Sequence, residues 1–172
     1  VVYSADGSRL LTASCDTTAR LWDTAAGDLL QTFRGHTWWV WSAAFSPDEN
    51  QIVTASHDGP ATVWNAATGK KLADFTGHKG PVFAAEFSPD GQTVASGGFD
   101  HRVLIWNPAE QPKINLQQLA AGDQTQKPKY TALDGHTSGV KSLEFSADGE
   151  RLLTGADDNS LKLWNVETRR SN

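Results

Sequence analysis

The chain has 172 residues, with 15 Lys and Arg against 20 Asp and Glu, a formal net charge of −5. That balance excludes the clustered basic footprint of a nucleic-acid binder, and no apolar run reaches the ~18 residues of a membrane helix. The single Cys, Cys15, excludes an internal disulfide. In chain order, the first apolar stretch ends at Tyr3 and runs into Ala5-Asp6-Gly7. Asp-Gly signals a hairpin turn, because Gly takes positive φ without steric cost. Leu10-Leu11 opens a second strand, Asp16 marks the next turn, and Ala19 to Leu21 alternates into Trp22. A further strand covers Leu29 to Phe33, ahead of Gly35-His36. The same order then recurs. Val40 to Phe45, Ser46-Pro47-Asp48, Ile52-Val53, Asp58, Trp64, Lys71 to Phe75 and Gly77-His78 form the second round. The third holds Val82 to Phe87, Ser88-Pro89-Asp90-Gly91, Val94-Ala95, Asp100, Trp106, Tyr130 to Leu133 and Gly135-His136. The fourth runs through Phe145, Ala147-Asp148-Gly149, Leu152-Leu153, Asp158 and Leu161 to Trp164, and its tail from Val166 to Asn172 is too short and polar to predict an outer strand.

The register between rounds is strict. Trp22, Trp64, Trp106 and Trp164 are spaced by 42, 42 and 58 residues, and each Gly-His histidine lies 28 residues before its Trp. An aromatic (Tyr3, Phe45, Phe87, Phe145) precedes each Trp by 19 residues, and an Asp precedes it by six. A hydroxyl residue, Thr12, Thr54, Ser96 or Thr154, stands four before each Asp. Four strands per ~42-residue period is the pattern of a propeller blade.

On these residues the sequence resembles the WD-repeat (G-beta-like) β-propeller family over nearly its whole length. Its Trp-Asp mark is present once, at Trp22-Asp23, and becomes Trp-Asn at Asn65, Asn107 and Asn165. The Ser-Pro-Asp-Gly turns and near-uniform repeats are similar to bacterial members. The resemblance implies an all-β fold of four-stranded antiparallel blades, with about four blades present as part of a larger ring. The expected blades are 1–34, 35–76, 77–134 with an insertion at 108–129, and an incomplete 135–172. The chain opens on Val1 rather than Met, so a piece of a longer polypeptide is expected, or one whose open edges pair with another copy. The insertion adds 16 residues between Trp106 and Gly135, and a short helix over Lys113 to Ala121 is an option there.

Asp, His and Ser or Thr recurring together look at first like a hydrolase triad. Recurrence argues otherwise, as does Thr in three of four places. The resemblance implies that Asp holds His, His holds the hydroxyl, and the hydroxyl accepts from the Trp indole. The implied structural sets are His36, Thr54, Asp58 and Trp64; His78, Ser96, Asp100 and Trp106; and His136, Thr154, Asp158 and Trp164, with Thr12, Asp16 and Trp22 in the first repeat. No glycine-rich phosphate loop or metal-ligand spacing appears, so no cofactor and no enzymatic activity are expected.

Function is then expected in the loops of a rigid ring. The leading reading is a non-enzymatic protein-interaction scaffold, with a regulatory propeller of a larger kinase or protease as the alternative. Partners are other proteins or the rest of the same chain, without nucleic acid or membrane insertion, and the expected compartment is cytoplasmic. In the family, three slots per blade face the narrow opening of the ring. They fall on Trp39, Trp41 and His57; on Pro81, Phe83 and Phe99; and on Gly139, Lys141 and Asp157, with Cys15 in the first blade. The second and third blades are expected to join their aromatics into one patch beside a polar fourth blade, with Trp38 either in that patch or packed between blades. Left-handed backbone is expected where Gly7, Gly91 and Gly149 stand, and Glu49 fills that slot in the second repeat.

Overall fold

The computed structural model describes residues 1–111 and 128–171. Sixteen strands form four antiparallel sheets of four strands each. The first contains β1 (Val2–Tyr3), β2 (Arg9–Ala13), β3 (Ala19–Asp23) and β4 (Leu29–Phe33), in that order. The second contains β5 (Val40–Phe45), β6 (Gln51–Ser56), β7 (Ala61–Asn65) and β8 (Lys71–Phe75). The third contains β9 (Val82–Phe87), β10 (Val94–Gly98), β11 (Arg102–Trp106) and β12 (Thr131–Asp134). The fourth contains β13 (Val140–Phe145), β14 (Arg151–Ala156), β15 (Leu161–Asn165) and β16 (Arg170–Ser171).

The hydrophobic effect acts between sheets, because a single four-stranded sheet has no interior of its own. Leu11, Ala19 and Leu21 of the first sheet pack on Ile52 and Trp64 of the second. Val53, Ala61 and Val63 of the second meet Phe87, Val94 and Trp106 of the third. Ala95, Val103 and Ile105 of the third meet Phe145, Leu152 and Trp164 of the fourth. Each core is a seam, and strand alternation sends one set of side chains to the preceding sheet and the other to the next.

The fourth sheet departs from expectation at its tail. Although Val166 to Asn172 is short and polar, Arg170 pairs with Asn165 and Ser171 with Trp164. A built turn makes this possible: the Arg169 N–H donates to the Asn165 carbonyl at 2.8 Å, and Arg169 takes φ 61°. The outer strand of the third sheet starts at Thr131, one residue later than the pattern predicts. A 3-10 turn, Pro108–Glu110, opens the insertion, with the Asn107 side chain accepting from the Ala109 N–H. The expected helix over Lys113 to Ala121 lies outside the described residues.

Candidate functional site

The repeated polar residues form hydrogen-bonded chains through three sheets. In the second, His36 Nδ1 lies 3.0 Å from Asp58 and Nε2 lies 2.7 Å from the Thr54 hydroxyl, which accepts from Trp64 Nε1 at 2.9 Å. In the third the corresponding distances are 2.9, 2.8 and 3.2 Å, through Asp100, His78, Ser96 and Trp106. In the fourth they are 2.9, 2.8 and 2.8 Å, through Asp158, His136, Thr154 and Trp164. Burial lowers the His36 pKa, so its ring is neutral. A neutral ring with Nδ1–H facing Asp58 leaves Nε2 to accept the Thr54 proton, and every polar atom along the line is satisfied. Burial opposes ionisation of Asp58, but bonds from the Thr37 N–H, Ser56 and His36 outweigh it and keep the carboxyl below its usual range. Ser96 is fully buried with its oxygen engaged at 2.8 Å by His78, so it presents no nucleophile to a substrate.

The first sheet keeps only half of this arrangement. Trp22 Nε1 donates to Thr12 at 3.0 Å, but no His is present, and Asp16 turns instead to Thr18 and Arg20. The Gly before each His is needed for close approach: a Cβ on Gly35 or Gly135 would sit 3.1 or 3.0 Å from the Trp64 or Trp164 ring. The residue after each Trp caps the following turn. Asp23, Asn65, Asn107 and Asn165 each accept from an N–H two or three residues on, at 2.7 to 2.8 Å. Only an acceptor oxygen is used, which is why Asn serves as well as Asp.

Three slots of each later sheet are fixed by one recurring backbone bond. The His57, Phe99 and Asp157 N–H groups donate to the Trp39, Pro81 and Gly139 carbonyls at 2.9, 2.8 and 2.9 Å. The third slot of each sheet, Trp41, Phe83 or Lys141, is the extra residue of a β-bulge on the innermost strand. A bulged residue is left out of the ladder and its side chain is re-aimed. Sequence spacing did not reveal the bulges.

The result is a chain of exposed rings. Trp38, Trp39 and Trp41 are 51%, 41% and 43% exposed. Trp38 stacks on His57 at 5.7 Å, and Trp39 and Trp41 stand 5.6 Å apart, edge to face. Trp41 reaches across the seam to Phe83 at 5.9 Å. Lys141 of the fourth sheet places its ammonium 3.4 Å from the Phe83 ring centre and 3.3 Å from Asp157. A cation over a ring face is attracted by the ring quadrupole. The fourth sheet is polar here, yet it is joined to the aromatic run rather than set beside it. Gly139 allows this, since a Cβ there would lie 3.1 Å from Phe83. Phe99 stands apart, exposed against Gly80 and 6.4 Å from His101. His57 Nδ1 is buried among the Trp rings without a hydrogen-bond partner. Cys15 is exposed and free. Among the described residues there is no cluster of His, Cys, Asp or Glu that could hold a metal, and no helix long and apolar enough to cross a membrane.

The family model described as "WD domain, G-beta repeat" matches residues 1–23, 27–65, 69–107 and 126–165. Among curated proteins, the Denticleless protein homolog of Danio rerio is 61% identical over 36 residues, which is 21% of this chain and 6% of that protein. The anaphase-promoting complex subunit cdh1 of Dictyostelium discoideum is 53% identical over 36 residues, 21% of this chain and 5% of that protein. The vegetative incompatibility protein HET-E-1 of Podospora anserina is 50% identical over 34 residues, 20% of this chain and 2% of that protein. Each alignment is about one repeat long.

Proposed function

Because the chain belongs to the WD domain, G-beta repeat family, we propose that it is a non-enzymatic protein-interaction scaffold whose contact surface is the aromatic run on the second and third sheets. The observation that carries this reading is the run from Trp38 through His57, Trp39 and Trp41 to Phe83, with all three Trp at least two-fifths exposed. Contiguous exposed apolar surface on a protein marks an interaction site, and Trp leads the residues that dominate binding energy. Trp39, Trp41, His57, Phe83 and Lys141 form its centre, with Pro81, Phe99 and Asp157 at its rim. The cdh1 relative is by its printed name a subunit of a larger complex, which is the kind of use proposed. The occupant is a protein segment with apolar side chains for the Trp rings and a polar group for the His57 nitrogen. Only Lys79 and Lys141 bring positive charge to this surface, too few for a phosphate reader.

The test compares the full-length protein with its Trp41→Ala variant, by isolating cross-linked partners and titrating the strongest one. Trp41→Ala is expected to leave urea unfolding unchanged and to weaken that partner by ~2 kcal/mol or more. Unchanged affinity for every partner would remove this surface from the function.

A further inference from the structure

The turn after each innermost strand meets the same turn of the next sheet, and these meetings come in two chemical kinds. At the second seam Pro47 faces Gly91, and a Cβ on that glycine would lie 3.5 Å from the proline ring. At the third, Pro89 faces Gly149 at 3.6 Å. The first seam has Ala5 in the proline position and Glu49 in the glycine position. Ala5 has the N–H that proline lacks, and it donates to Glu49 Oε1 at 2.6 Å. Arg9 pairs with the other oxygen of Glu49 and lies 5.5 Å from the Phe45 ring centre. Glu49 holds φ 56° to make this contact. The two kinds are also written in the sequence: Ala5 is followed by Arg9, whereas Pro47 and Pro89 are followed by Gln51 and Thr93.

The fourth sheet repeats the first. Ser146-Ala147-Asp148-Gly149-Glu150-Arg151 matches Ser4-Ala5-Asp6-Gly7-Ser8-Arg9. Arg151 is exposed and forms no ion pair among the described residues. Beside it, the apolar face of the sheet is uncovered. Leu153 and Leu161 are 42% and 74% exposed, where Leu11, Val53 and Ala95, and Ala19, Ala61 and Val103, are at most 1% exposed. We propose that this face receives one further four-stranded sheet, a following repeat in cis, whose first hairpin carries a glutamate in the left-handed position. That carboxylate accepts from the Ala147 N–H and pairs with Arg151, as Glu49 does with Ala5 and Arg9. The first sheet of this chain is the wrong occupant: it presents Gly7 there, which suits a proline and offers no acceptor. A second copy would present the same Gly7, and its Glu49 is already engaged by its own Ala5 and Arg9.

The inference does not depend on the aromatic surface. It is tested by fusing residues 35–76 after residue 171, once as they stand and once with the Glu49→Gly change in the added repeat. Each fusion is then combined with Arg151→Gln and unfolded in urea. The added repeat with glutamate is expected to protect the Leu153 and Leu161 amides from hydrogen exchange. Arg151→Gln is expected to raise its unfolding constant about fivefold, while changing neither the four-sheet chain nor the glycine fusion. Arg9→Gln, made in the four-sheet chain, supplies the matching loss at the first seam. Failure of the added sheet to protect those amides would overturn the proposal, as would equal responses of the two fusions to Arg151→Gln. A dimer of the four-sheet chain that buries Leu161 against Tyr3 of its copy would do the same.

Discussion

The first and third sheets follow one strand plan and are held in different ways. In the third, Asp100, His78, Ser96 and Trp106 form a closed line of bonds, and both faces are covered by neighbours. In the first, the Trp22 to Thr12 bond stands alone, Asp16 serves its own turn, and Tyr3 is 62% exposed. The indole bond therefore comes with the strand pairing itself, whereas the work of the Asp depends on whether a His arrives from the loop before the sheet. That comparison teaches that identical spacing gives identical backbone but not identical duty.

The largest effect that can break the comparison is loss of the third sheet's polar line. Asp100→Ala or His78→Ala leaves a buried partner unpaired and should cost ~1–3 kcal/mol in urea unfolding. Asp16→Ala removes only an exposed contact with Arg20 and a turn bond, and should cost under ~1 kcal/mol. His78→Ala and Asp100→Ala should be strongly non-additive because they share one line, whereas His78→Ala and Asp16→Ala should sum. Equal costs for Asp100→Ala and Asp16→Ala would erase the distinction between the sheets.

A second difference is a titratable group. Glu86, on the inner strand of the third sheet, has its pKa raised from 4.5 to about 7, by burial first and by Glu144 of the neighbouring strand second. The corresponding residue of the first sheet is Val2. A carboxyl whose folded pKa is raised favours the folded state while protonated. Its contribution is fully present below pH ~4.5, falls as pH rises toward ~7, and is level above that. Glu86→Gln should therefore raise the thermal midpoint at pH 8 and leave it nearly unchanged at pH 4. A midpoint difference that is the same at both values would show that Glu86 is not the titrating group.

The smallest effect sharpens the comparison at the seams. Glycine at position 49 would relieve a left-handed residue worth ~1–2 kcal/mol. It would also remove the Ala5 bond and the Arg9 pair, together of similar size. Glu49→Gly should thus lie near neutral, and Glu49→Ala should be the less stable of the two, since it keeps the strain and loses the carboxylate. The reverse order in urea midpoints would show that the strain is negligible.

Much of this was legible in the sequence. The fixed spacing from His to Trp, from hydroxyl to Asp and from aromatic to Trp predicted which polar atoms meet, and they do so in three sheets. The left-handed position at Glu49 followed from aligning it with Gly7, Gly91 and Gly149. The partner of Glu49 did not, because Ala5 and Arg9 lie 44 and 40 residues away on another sheet. The exposed Trp residues were visible as a cluster. Their aim was not, because it is set by bulges that leave Trp41, Phe83 and Lys141 out of the ladder. The outer strand of the fourth sheet was missed because its two residues are polar, and what creates it is the turn at Asn165 and Arg169.

The sequence by itself determined the repeat, the strands, the turns and the composition of each polar line, because these follow from short-range geometry: side chains alternate along a strand, and turns demand particular residues. Only the tertiary structure decided how Lys141 comes to lie over Phe83, which carboxylate answers Arg9, and which leucines stay uncovered. Those outcomes arise where one sheet meets the next, and the contacts that fix them join residues of different repeats that no local pattern couples.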